Sequence, residues 1–105
     1  GESFELKTGE VFSDANDGLK VEIVSVLEDS RCPEDVLCEW EGQLRSEILI
    51  EIDGQIFTKD LILRANKNNQ IEVENYKFQL LNVIPDRQLD ENIELKEYTF
   101  ELIIK

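Results

Sequence analysis

The chain has 105 residues, of which 41% are apolar, so it fits one domain with a core that buries well over half of the unfolded-state surface. Its 24 acidic and 11 basic residues leave a formal charge of −13, which repels phosphate backbones and anionic lipid surfaces and sets nucleic acid aside as a partner. Histidine is absent, which removes the commonest general base, the usual partner of a serine or cysteine nucleophile, and the commonest metal ligand.

Taken in chain order, period-two alternation dominates, and no 3.6-residue period is sustained. Residues 4–7 and 11–13 are short strand-like runs separated by Thr8-Gly9-Glu10. The polar loop Asp14-Ala15-Asn16-Asp17-Gly18 leads into residues 19–27. There Leu19, Val21 and Ile23 alternate before Val24 and Val26 take over the other face, a phase switch that predicts a bulge or a strand apolar on both sides. Residues 40–52 form the clearest strand: Trp40, Gly42, Leu44, Ser46, Ile48, Ile50 and Ile52 share one face, and Glu41, Gln43, Arg45, Glu47 and Glu51 the other. Asp53-Gly54 is a strong hairpin signal, with residues 55–64 as the return strand.

Residues 65–69 are a polar turn. Ile71 and Val73 start a strand that turns near Glu74-Asn75; Tyr76, Phe78, Leu80, Val83 and Ile84 then carry it to Pro85. After the polar loop 86–92, Tyr98, Phe100, Leu102 and Ile104 form a terminal strand. A single helical turn at residues 34–37 is the most helix the pattern allows. The expectation is an all-β chain, one domain over residues 1–105, folded as an antiparallel β-sandwich or small barrel of about seven strands with one disulfide-closed loop.

Both cysteines, Cys32 and Cys38, sit in the acidic turn-forming segment between the third and fourth strands, with five residues between them. That spacing suits neither a CxxC redox motif nor a zinc site, which needs two more Cys or His ligands; Glu34, Asp35 and Glu39 offer only a rarer, carboxylate-rich alternative. A disulfide fits better, at roughly 2–2.5 kcal/mol for a loop of about seven residues. A pair of free thiols in a reducing compartment is the other reading of the same spacing. Pro33 stiffens the loop by fixing φ, Asp29 and Ser30 are turn or cap residues, and Trp40 is expected to turn its ring inward over the sulfur pair.

The run Asp29-Ser30-Arg31-Cys32-Pro33, followed by Cys38, Trp40 and Gly42, resembles a family of small bacterial extracytoplasmic proteins, many made as lipoproteins, whose motif is DSRCP and then CxWxG. The resemblance extends to an apolar strand ahead of the motif, to a Tyr-x-Phe-x-Leu-x-x-Val-x-Pro run from Tyr76 to Pro85, and to a closing strand opened by Tyr98. Glu41 departs from it, since small residues such as alanine are frequent there. The resemblance implies a β-sandwich-like domain exported across the inner membrane, and it carries over no catalytic or binding residues. With no initiator methionine or apolar leader, the chain reads as an excised mature domain with Gly1 a remnant of its preparation; if a signal peptide or lipid-attachment cysteine existed, it has been trimmed away.

Among single residues, Arg31 invites a role as an exposed recognition point in a stiffened loop, as in compact protease inhibitors. The plainer expectation, and the favoured one, is that it pairs with Asp29, Glu34 or Asp35, or donates to carbonyls that shape the turn. The loop from Asp14 to Gly18 and the acidic set Asp86, Asp90, Glu91 and Glu94 resemble calcium loops in composition but not in EF-hand spacing. Carboxylate pairs for glycoside hydrolysis need a cleft to bring them together. Tyr76, Tyr98, Phe78 and Phe100 read as core or cross-strand residues.

The functional expectation is a non-enzymatic, exported binding or interaction domain for an unidentified protein or small ligand. It uses no cofactor or metal and meets a membrane only through a lipid at its missing N-terminus; Asp29, Ser30, Arg31, Pro33, Trp40 and Gly42 are a candidate contact surface. The alternatives are a thiol–disulfide redox protein using Cys32 and Cys38, and a calcium-dependent carbohydrate or adhesion module. Against the redox alternative stand Glu34, Asp35 and Glu39, whose negative charge raises thiol pKa.

Overall fold

The structure, a computed structural model, describes residues 3–14, 18–32, 42–64, 69–84, 93–94 and 97–105. In chain order the strands are β1 (Ser3–Lys7), β2 (Val11–Asp14), β3 (Leu19–Asp29), β4 (Leu44–Ile52), β5 (Gln55–Leu63), β6 (Gln70–Val73), β7 (Tyr76–Ile84) and β8 (Thr99–Ile104). They form two antiparallel four-stranded sheets, ordered β1-β8-β7-β6 and β2-β3-β4-β5. The chain is thus all-β and consistent with a β-sandwich. The expected helical turn at residues 34–37, the start of the fourth strand at Trp40, and most of the polar segments 65–69 and 86–92 lie outside the described residues.

Alternation decides which side of each strand is dry. On β4, Leu44, Ser46, Ile48 and Ile50 are fully buried while their neighbours are half-exposed. Ser46 is the one polar residue in that row, and its hydroxyl donates to the Leu61 carbonyl at 2.7 Å, so no hydrogen-bonding group is left unmet there. The Asp53-Gly54 turn joins β4 to β5 with φ of 49° and 85°, the paired left-handed conformation that a two-residue hairpin requires. Glu74, with φ 55°, marks the second tight turn, which separates β6 from β7 and raises the strand count to eight among the described residues.

The phase switch in β3 is two bulges. The register with β4 slips between Ile23 and Ser25 and again between Val26 and Glu28. The first slip sets Val26 opposite the buried Ser46; the second sets Asp29 opposite the buried Leu44. Because cross-strand partners share a face, Asp29 ends on the inward face of its sheet. A third slip, between Leu80 and Asn82 on β7, sets Val83 opposite the buried Phe100.

Both sheets contribute to one core, with Leu19, Val21, Ile23, Leu44, Ile48, Ile50 and Leu61 on one side and Val73, Phe78, Leu80, Val83, Phe100 and Leu102 on the other. Burial of this kind dictates the effect of truncation. Ile48→Ala is expected to lower unfolding free energy by about 2–5 kcal/mol, whereas Glu47→Ala, one residue away on the wet face, should change it by no more than about 0.5 kcal/mol. Urea unfolding of the two variants measures both.

Candidate functional site

The DSR segment lies where β3 leaves its sheet. The Ser30 N–H donates to the Gln43 carbonyl at 2.8 Å, so the antiparallel pairing of β3 and β4 continues beyond the strands themselves. The Ser30 hydroxyl accepts from the Gln43 N–H at 3.2 Å and lies 3.0 Å from both Glu28 Oε2 and the Gln43 carbonyl, with one proton to offer them. Hydrogen bonds from Gln43 and then Ser30, with the charge of Arg45 adding to them against burial, hold the Glu28 carboxyl below its usual pKa. Gly42 has φ 71°, and a side-chain carbon there would collide with the Ser30 carbonyl oxygen and lie 3.1 Å from Arg31 Cα. Only glycine lets the two limbs approach this closely.

Arg31 grips Asp29 with two parallel hydrogen bonds, Nε to Oδ1 at 2.8 Å and Nη2 to Oδ2 at 2.9 Å. Its third nitrogen, Nη1, donates to the Val83 carbonyl on β7 at 3.1 Å. The Tyr98 hydroxyl, just ahead of β8, donates to Asp29 Oδ2 at 2.9 Å. One carboxylate and one guanidinium therefore tie the β3 end of the first sheet to β7 and β8 of the second. The side chains of Asp29 and Arg31 are each only 13% exposed, which places the pair between the sheets and gives its charges little screening. Of the expected partners of Arg31 the structure shows Asp29, while the carbonyl it reaches belongs to Val83 on β7 and not to the turn; an exposed recognition point does not fit a side chain this covered.

Burial by itself pushes the Asp29 carboxyl up. The hydrogen bonds from Arg31 and Tyr98, together with the Arg31 charge, outweigh it and hold the group below its ordinary value. Of the remaining motif residues, Cys32 is described and half-buried, while Pro33, Cys38 and Trp40 lie outside the described residues. Two members of the clamp, Val83 and Tyr98, lie outside the DSRCP and CxWxG segments, in the later runs to which the resemblance extends. Val83 contributes only its carbonyl, which has no side-chain signature. Tyr98 reads in sequence as a core aromatic, and the signal for its hydroxyl partner is the lone aspartate brought inward at the end of β3.

At the opposite end of the molecule the sheets part around an open cleft of about 1000 Å³. Sequence reasoning did not bring its residues together, because they come from seven strands and two turns. Phe4 on β1 and Phe12 on β2 stack across the two sheets with ring centroids 4.4 Å apart and planes 21° apart. Tyr76, Leu19, Ile52 and Ile104 add further apolar surface; Asp14, Asp53 and Glu74 add carboxylates, and Lys105 a cation. Of the two acidic loops singled out in the sequence, Asp14 lines this cleft and Glu94 is described, while residues 15–17, 86, 90 and 91 are outside the described residues. Among the described residues no group of three or more Asp, Glu or Cys side chains is arranged to hold a metal ion.

Compared with protein-family models, with curated proteins and with solved structures, the chain matches none.

Removing one partner of a covered ion pair strands the other. Arg31→Ala is therefore expected to cost about 3–5 kcal/mol of unfolding free energy. The pH dependence has a definite sign. Because the folded-state pKa of Asp29 lies below the unfolded one, its stabilisation is present above the unfolded value of about 3.9 and is lost as pH falls through the folded value. The stability gap between the parent chain and Asp29→Asn should be constant near neutrality and shrink progressively below about pH 4, as followed by urea unfolding at a series of pH values.

Proposed function

We propose that the chain is a non-enzymatic binding domain working outside the cytoplasm, the soluble part of a bacterial lipoprotein, with Cys32 and Cys38 joined as a structural clasp. The observation that carries the reading is the division of labour between the two ends. At one end the polar groups of the motif are engaged in holding the sheets together. At the other, an aromatic-lined cleft of about 1000 Å³ stands open, at the upper end of the size range of small-molecule sites.

The exported location rests on the resemblance in residues 29–42 and on the cysteine spacing. In support, Cys32, the one cysteine among the described residues, is not a free thiol. The clasp has a mechanical rationale: Cys32 follows Arg31 directly, so closing the loop restricts the segment that must present the guanidinium to Asp29 and Val83. A redox role would need a bond that opens readily, and the acidic residues of the loop disfavour a reactive thiolate.

Two measurements test these two halves. Alkylation and intact-mass analysis across glutathione and dithiothreitol buffers should give a potential below about −300 mV; a bond that opens near the glutathione poise, or thiols free from the outset, would overturn the clasp. For the binding half, a small-molecule fragment library followed by amide NMR shifts should yield hits that cluster on the cleft. Hits scattered over the surface, or confined to the motif end, contradict it.

A further inference from the structure

The cleft has a chemical character that narrows its ligand. Its walls offer flat apolar surface in the stacked Phe4–Phe12 pair and in Tyr76, all half-buried and so partly open to whatever enters. Its rim offers carboxylates in excess: Asp14, Asp53 and Glu74 against the single cation Lys105. Among the described residues neither Asp53 nor Glu74 has an ion-pair partner; the ion pairs there are Lys20–Glu51, Asp29–Arg31 and the two that Arg45 makes with Glu28 and Asp60. Both carboxylates are carried by tight turns, with φ 49° at Asp53 and 55° at Glu74. Asp53 is further fixed by its N–H bond to the Gly18 carbonyl at 3.0 Å, so its position is set by backbone and not by a flexible loop.

A cleft with an excess of one sign of charge on low-dielectric walls focuses the field of the whole molecule, here a chain of formal charge −13. Aromatic faces beside those carboxylates attract cations as well, through the ring quadrupole. Anions meet repulsion from the rim, and neutral molecules gain only the apolar contact. We infer that the cleft binds a small organic cation carrying a flat apolar group, its charge toward Asp53 and Glu74 and its flat face against the aromatic rings. This inference rests on the binding-domain reading above and adds a ligand class to it.

Three indoles of similar size separate charge from shape: tryptamine (a cation), indole-3-acetamide (neutral) and indole-3-acetate (an anion). Each is titrated into the isotope-labelled chain and followed by amide shifts. Tryptamine is expected to move the amides of Phe12, Leu19, Asp53 and Asn75, to bind more tightly than the acetamide, and to weaken as salt is added. The acetate should leave those amides in place. Asp53→Asn combined with Glu74→Gln alters exposed side chains, and asparagine suits the left-handed turn position, so the fold should survive. That variant should weaken tryptamine about fivefold while the acetamide is unaffected. Equal binding of all three indoles at the cleft would overturn the charge preference and leave the binding reading standing. Tryptamine shifts that map elsewhere, or no cleft shifts with any of the three at millimolar concentration, would overturn the inference outright. The fragment screen then decides separately whether the cleft binds anything at all.

Discussion

The carboxylate of Asp29 is the constraint on which one end of this fold depends. A sandwich of two antiparallel sheets is held mainly by apolar side chains that interdigitate without direction, and such packing tolerates sliding. A charge brought between the sheets is less forgiving. Asp29 sits on the inward face of β3 with little solvent contact, and it is stable there only because Arg31 meets both its oxygens and Tyr98 donates to one of them. Arg31 in turn reaches the Val83 carbonyl. Each of these bonds requires β3, β7 and the start of β8 to be in one relative position. Removing a partner leaves a covered charge unmet, so the pair acts less as glue than as a register pin.

Several features of the motif follow from that pin. Two bulges restore Asp29 to the inward face after Val26 has taken the place of Ser25 there. Ser30 extends the pairing to Gln43, and Gly42 lets the returning limb pass close beneath Ser30 and Arg31. The close approach fixes the path of the backbone on both sides of Arg31 and so the direction from which its guanidinium arrives. A disulfide between Cys32 and Cys38 would add a restraint on the same few residues from the other side. Asp29, Ser30, Arg31 and Gly42 thus serve the architecture at this end of the fold.

Much of the fold was legible in the residues because alternation is a local property. Ile48 and Ile50 announce their own burial, Asp53-Gly54 its own turn, and the switch from Ile23 to Val24 and Val26 its own bulge. The Leu80-x-x-Val83 step carries the same mark, one residue too many between inward positions, but no bulge was expected there and the strand register reveals it. What was not legible is what depends on two distant segments meeting. Nothing in Arg31 names the Val83 carbonyl, and Tyr98 looks like any core aromatic until Asp29 lies beside it. The cleft is the extreme case: Phe4, Phe12, Asp53, Glu74 and Tyr76 are unremarkable one by one and become a lined cavity only when seven strands come together.

The two ends therefore stand in a structural relation. A clamp at one end allows the sheets to part at the other without the sandwich losing its register, and on the proposed binding role the open end is where a ligand would enter. The most direct test of the clamp is a double-mutant cycle in urea unfolding with Asp29→Asn and Tyr98→Phe, two substitutions that keep shape and remove one polar link between the sheets. The account predicts a coupling of about 1 kcal/mol or more, in the range seen for residues that share a hydrogen-bond network. Additivity within about 0.3 kcal/mol would contradict it, and would mean that Asp29 and Tyr98 stabilise their own sheets independently.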